Sequence, residues 1–271
     1  MDAGMEALLS VIKQRVKSKI SEIPRVQALL DKINSGNATF ADTAEYSEIV
    51  SNALGTVFSS SIPELSEAGL KEYVCTELLK DRYNDTNEVL ATVQKSLDEK
   101  AGVKLAPQKA VFPLDRVTRV AHSLADATVK EDVIARRANG PVANVSKSFH
   151  DDYIEENAKF RNDAGLKCYI SRVTDGKCCK WCSAIAGRYE YSEAPEDIYR
   201  RHDNCGCTVT YENGRMRQDV WSKKTWEVPE VKQKNSTPKK LPYEQGKAIE
   251  QQNLPRVGVD KSSGSGIINT K

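Results

Sequence analysis

A chain of 271 residues with 39% hydrophobic and 29% charged side chains is long enough to bury a real core, and its 7% aromatic share keeps that core lean. The formal net charge of +2 is too small for the whole-chain field to attract nucleic acid or an anionic membrane, so any basic patch has to be local. No run approaches the roughly 20 apolar residues that span a bilayer, and the opening MDAGMEALLSVIKQRVKSKI intersperses charge where a signal peptide would be unbroken and apolar. The chain is therefore expected to be soluble, to begin at Met1 and to remain inside a cell or a particle assembled there.

From Met5 the apolar positions Leu8, Leu9, Ile12, Val16 and Ile20 recur at intervals of three and four, which predicts a first helix. Pro24 opens a shorter one carrying Val26, Leu29, Leu30 and Ile33, with Gly36 as its stop. Asp42 and Glu45 have the spacing of a capping box ahead of the clearest amphipathic stripe, Tyr46, Ile49, Val50, Ala53, Leu54, Val57 and Phe58. Further stripes occur at Leu70, Tyr73, Val74, Leu78, at Val89, Leu90, Val93, Leu97 before Gly102, and at Val117, Val120, Ala121, Leu124 after Pro113. Gly140-Pro141 reads as the start of a last long helix, from Val142 to about Arg161. No fixed-period self-similarity points to a solenoid.

After Gly165 the period shortens. LKCYISRV alternates Leu166, Cys168, Ile170 against Lys167, Tyr169, Ser171; GRYEYS follows a glycine; CTVTYE precedes the turn dipeptide Asn213-Gly214. These predict short strands. Beyond Trp226 the chain is rich in Lys, Pro, Gln, Ser and Gly, as a flexible tail would be. The expected fold is mainly α: a helical bundle or array over 1–139, a long helix plus a small α+β zinc-binding module over 140–227, and a disordered tail over 228–271.

Six of the seven cysteines fall between Cys168 and Cys207, and in a chain without an export signal such clustering favours metal ligation over disulfides. Cys75 lies in a helical pattern and reads as a small buried hydrophobe. Cys179 and Cys182 form a C-x2-C pair whose turn aims two thiolates at one ion, and His202, Cys205 and Cys207 follow about 20 residues later as the second half. Four of these five complete a tetrahedral site. Mixed thiolate and imidazole donors suit Zn2+, and so many donors in one short segment suit a closed, structural site.

Which four bind is open: Cys205 and Cys207 together would leave His202 in support, or Cys205 is spare. Cys178, next to Cys179, is the expected bystander. His122 reads as a core or boundary histidine and His150, beside Asp151 and Asp152, as a solvated helix position. No catalytic constellation and no cofactor-binding motif is recognisable elsewhere. A deaminase would need Glu after a ligand histidine, whereas His202 is followed by Asp203 and Asn204. Those two residues beside a thiolate site leave a zinc-containing nuclease or toxin as one alternative. A nucleic-acid-binding zinc module using Arg200, Arg201 and the Lys/Arg run from Arg215 to Lys240 is another.

The order Cys-x2-Cys, an Ile185-Ala186-Gly187 step, an acidic loop with proline (Glu193, Ala194, Pro195) and His-x-Asn-Cys-x-Cys (His202, Asn204, Cys205, Cys207) resembles the C-terminal region of phage Mu F-like minor head proteins, also called head morphogenesis proteins. The long helix running through Asn157, Arg161 and Gly165 into a strand is similar too. The resemblance covers about residues 140–212. It departs from the family's usual His-Pro-Asn-Cys-Arg-Cys at Asp203 and Gly206 and adds Cys178, without removing a candidate ligand. It implies a non-enzymatic virion component in the capsid interior or portal region, present in the host cytoplasm during assembly. The implied partners are portal, scaffold or major capsid proteins, with phage DNA as a further candidate through packaging or ejection and no membrane.

Overall fold

A computed structural model describes residues 3–176, 178–202 and 205–213. Its helices are α1 (Ala3–Ser21), α2 (Pro24–Asn34), α3 (Phe40–Ser61), α4 (Leu70–Ala101), α5 (Leu114–Leu124) and α6 (Glu131–Asp163). The strands β1 (Cys168–Val173), β2 (Gly187–Glu190) and β3 (Thr208–Asn213) follow, with the short helix α7 (Lys180–Ile185) between β1 and β2. The fold is thus mainly helical with a small sheet near the end of the described chain, as the periodicities predict. The tail over 228–271, the basic run from Arg215 to Lys240, and Gly214 of the turn dipeptide lie outside the described residues.

Several boundaries differ from expectation for identifiable reasons. The capping box of α3 is built one turn earlier: the Thr39 hydroxyl accepts from the Asp42 amide at 3.3 Å and the Thr39 amide donates to Asp42 Oδ2 at 2.9 Å. Glu45 instead takes the Arg25 guanidinium of α2 at 2.6 Å. The two stripes at 70–78 and 89–97 belong to one helix, α4. Its inward side is interrupted by buried polar residues, two of which satisfy themselves locally: Thr86 donates to the Arg82 carbonyl at 2.7 Å and Asn87 to that of Tyr83 at 2.8 Å. Gly102, at φ 70, ends α4 with the Val103 amide donating back to the Asp98 carbonyl at 2.9 Å.

Pro141 does not open a helix but lies inside α6, which begins ten residues earlier at Glu131. A proline there removes one helical hydrogen bond, worth about 3 kcal/mol in an isolated helix. Apolar burial on both sides holds the helix together, with Ile134 and Ala138 before the proline and Val142, Val145 and Phe149 after it all in the main core. Close approach adds to this. A Cβ at Gly55 of α3 would stand 2.6 Å from the Asn139 carbonyl oxygen, so only glycine lets α3 and α6 meet there.

Two cores result. The larger joins α1, α3, α4, α5 and the first half of α6 around Phe58, Leu79, Val117 and Phe149. The smaller covers the sheet, whose order is β2-β1-β3 with antiparallel pairing throughout. Ile170 stands opposite both Tyr189 and Tyr211, and these pack on Tyr153, Ile154 and Ala158 of α6, Phe40 of α3 and Leu90 of α4. The sheet therefore shares its core with the helices, and the division drawn at 139/140 falls inside α6. A buried polar seam backs this core: Arg161 is ion-paired with Asp98 and donates to Asn157 at 3.1 Å, while Gln94 holds Asp98 at 3.0 Å and accepts from the Tyr211 hydroxyl.

Two histidines depart from expectation. His122 is exposed, its side chain 81% accessible and 3.6 Å from Glu72, because it falls beside rather than on the Val117–Ala121–Leu124 face. His150 is buried, with Nε2 3.1 Å from the Thr43 hydroxyl, because it faces α3 and not solvent. Cys75 is fully buried, as expected, and burial pushes its thiol up to about 12.

Candidate metal centre

The five candidate ligands come from two places in the chain and gather beside Arg172 of β1 in two groups that share Cys182. Cys179 caps α7, its sulfur accepting the Cys182 amide at 3.4 Å, so one tight turn turns both thiols of the C-x2-C pair to the same side. The second half arrives on the loop before β3, where the Cys205 amide donates to the His202 carbonyl at 3.2 Å.

His202 Nε2 stands 3.2 Å from Cys179 Sγ and 3.0 Å from Cys182 Sγ, and Cys182 Sγ stands 3.7 Å from Cys205 Sγ. Cys179, Cys182 and His202 form one group with all donor atoms within 4.8 Å of one another, and Cys182, Cys205 and Cys207 form another. Thiolates about 2.3 Å from a tetrahedral ion would be separated by about 3.8 Å. The Cys182–Cys205 distance matches that edge, and the donor set suits a thiophilic divalent ion. Cys182, common to both groups, is the pivot.

The cluster is buried on its Cys182–Cys205–Cys207 side, while Cys179 and His202 are partly exposed. Cys182, Cys205 and Cys207 are buried with Trp181 and Ile185, and the Trp181 ring meets His202 edge-on with centroids 5.9 Å apart. The Cys205 thiol is held far below the ordinary thiol range, first by hydrogen bonds from the Cys182 and Cys207 thiols, then, against the cost of burial, by the Arg172 guanidinium. Cys178 points away, 3.1 Å from the Ser183 hydroxyl, and belongs to neither donor group.

Arg201, offered by the sequence as a DNA contact, is turned inward. Its guanidinium grips both carboxylate oxygens of Asp151 on α6 and donates to the Cys205 carbonyl at 3.4 Å, with only 7% of the side chain exposed. Burial would raise the Asp151 carboxyl, but Arg201 overcomes it and holds that carboxyl below the ordinary range. Arg200 is half-exposed and bonded to Asp197 at 3.0 Å. Asp203 and Asn204, on which a nuclease reading rests, lie outside the described residues.

Residues missed from sequence are Arg172 and Asp151. The signal for Arg172 was available: it follows Cys168 and Ile170 at the next inward position of β1, where a charge is unexpected. For Asp151 there was none, since its partner is 50 residues away. No protein-family model, curated protein or solved structure matches the chain. Among the described residues no helix is long and apolar enough to cross a membrane.

Proposed function

We propose that this chain is a minor head, or head morphogenesis, protein of a tailed phage or prophage, and that the centre holds a structural zinc ion. The observation that carries the reading is the gathering of Cys179, Cys182, His202, Cys205 and Cys207, the residues that bear the resemblance to Mu F-like proteins, into two overlapping donor groups that share the buried Cys182. Zinc is favoured over other thiophilic ions because it accepts imidazole and thiolate together and has no redox chemistry to damage the thiols.

A structural role is favoured over catalysis because the donors outnumber the four positions of a tetrahedral ion, leaving none for an activated water. The ion fixes the β1–α7 turn to the loop before β3, and the protein acts through its surfaces, on portal, scaffold or major capsid proteins, with phage DNA as a further partner. It would reside in the capsid interior or portal region.

The test is twofold. Mass spectrometry of purified particles from a host carrying the gene should find the chain as a minor component, and elemental analysis should find about one zinc per chain, lost on chelation. Absence from particles refutes the head assignment, and absence of metal under reducing conditions refutes the zinc.

A further inference from the structure

Arg172 is 2% exposed, and no carboxylate among the described residues is ion-paired with it. Its Nη2 lies 3.5 Å from Cys182 Sγ and 3.6 Å from Cys205 Sγ, its Nη1 donates to the Ile198 carbonyl, and its guanidinium lies 5.4 Å from the Trp181 ring centroid. The carboxylate next nearest in influence, Asp151, is taken by Arg201. A buried cation without a counter-charge is strongly destabilising. The anions within reach of this one are sulfurs, and a thiol is reliably anionic when it binds a metal.

We infer that Arg172 is the counter-cation and positioning residue of the metal–thiolate cluster, orienting Cys182 and Cys205 and neutralising the charge they bring. The inference rests on the metal reading above and adds the charge state of the complex to it. A divalent ion with three thiolates and one imidazole carries one net negative charge, which a single guanidinium balances, whereas four thiolates leave a surplus in a dry site. Arg172 therefore favours His202 as a ligand beside three cysteines. Its N–H donors also withdraw electron density from the two sulfurs they meet, so the centre's spectrum depends on them.

The experiment loads the full chain with Co2+ and with Zn2+, and compares it with Arg172→Met and Arg172→Lys. Competition against a chromophoric chelator gives affinity, and the near-ultraviolet thiolate-to-cobalt charge-transfer band gives donor strength. Arg172→Met is expected to bind both ions about 10- to 100-fold more weakly and to move the band to longer wavelength. Arg172→Lys, which keeps the charge, should fall between. Should the methionine variant fail to fold, the lysine variant carries the comparison through its smaller loss and band shift.

Arg161→Met controls for loss of a buried guanidinium that serves the Asp98 seam instead, and should lower stability with the band unmoved. Unchanged affinity and band in both Arg172 variants overturn this inference alone. No charge-transfer band in the unsubstituted chain overturns the metal reading and this inference with it.

Discussion

Cys182 is the donor common to both groups, so its loss breaks each of them. Cys182→Ser is expected to abolish stoichiometric zinc binding and lower the thermal midpoint, while Cys178→Ser, which removes a thiol directed at Ser183, leaves both unchanged. Elemental analysis and a thermal scan of the two variants decide this; a full complement of zinc in the Cys182→Ser protein would sink the assignment. At this scale the donors were legible because thiol and imidazole side chains announce their chemistry in any sequence. The groups that hold them were not. Arg172 betrays itself only by its inward place in the alternation of β1, whereas Arg201, Asp151 and His150 look like ordinary surface residues until the fold brings α6 and α3 around them, and nothing local distinguishes a solvated Asp151 from one wholly buried beneath Arg201.

The elements were read well where one face is apolar and poorly where polar residues turn inward. Helix α4 appeared as two stripes because Arg82, Thr86 and Asn87 interrupt its buried side, and α6 appeared to start at Pro141 because the burial that tolerates a proline is supplied by α3 and α4. The start of α3 is a case where misplacing the cap by three residues changes a prediction. Burial pushes the Asp42 carboxyl up, but the Lys32 ammonium and the Thr39 amide and hydroxyl outweigh it and hold it below its ordinary value. A depressed carboxyl contributes stability above the ordinary carboxylate range, and that contribution is lost as pH falls through the lower folded value. Asp42→Asn should therefore destabilise the protein at about pH 7 and much less at about pH 3. Denaturant unfolding at the two pH values measures the gap, and an equal gap at both would show that the carboxylate charge contributes nothing.

The sequence divides a helical region over 1–139 from a long helix plus small zinc-binding module over 140–227. In the folded chain Tyr211 of β3 packs on Phe40, with ring centroids 4.8 Å apart, and the Asp98–Arg161 pair backs the same sheet from α4 and α6. Removing an ion held at the proposed centre should thus be felt beyond its donors. Chelation is expected to speed hydrogen exchange in β1 and in the second half of α6 together and to lower a single unfolding midpoint; exchange confined to the strands, with α6 unaffected, would show that the centre and the helix are not coupled. Helix α6 has one further consequence. Its first half packs in the larger core and its second half, through Tyr153, Ile154 and Ala158, in the smaller one. Synthesis proceeds from the N-terminus, so this second half leaves the ribosome before any strand that covers it and before the first candidate metal ligand, Cys179. The nascent protein then presents a helix whose far end meets Phe40 and Leu90 but still lacks the cover of Ile170, Tyr189, Val209 and Tyr211, and the strands that bear these residues close over it afterwards.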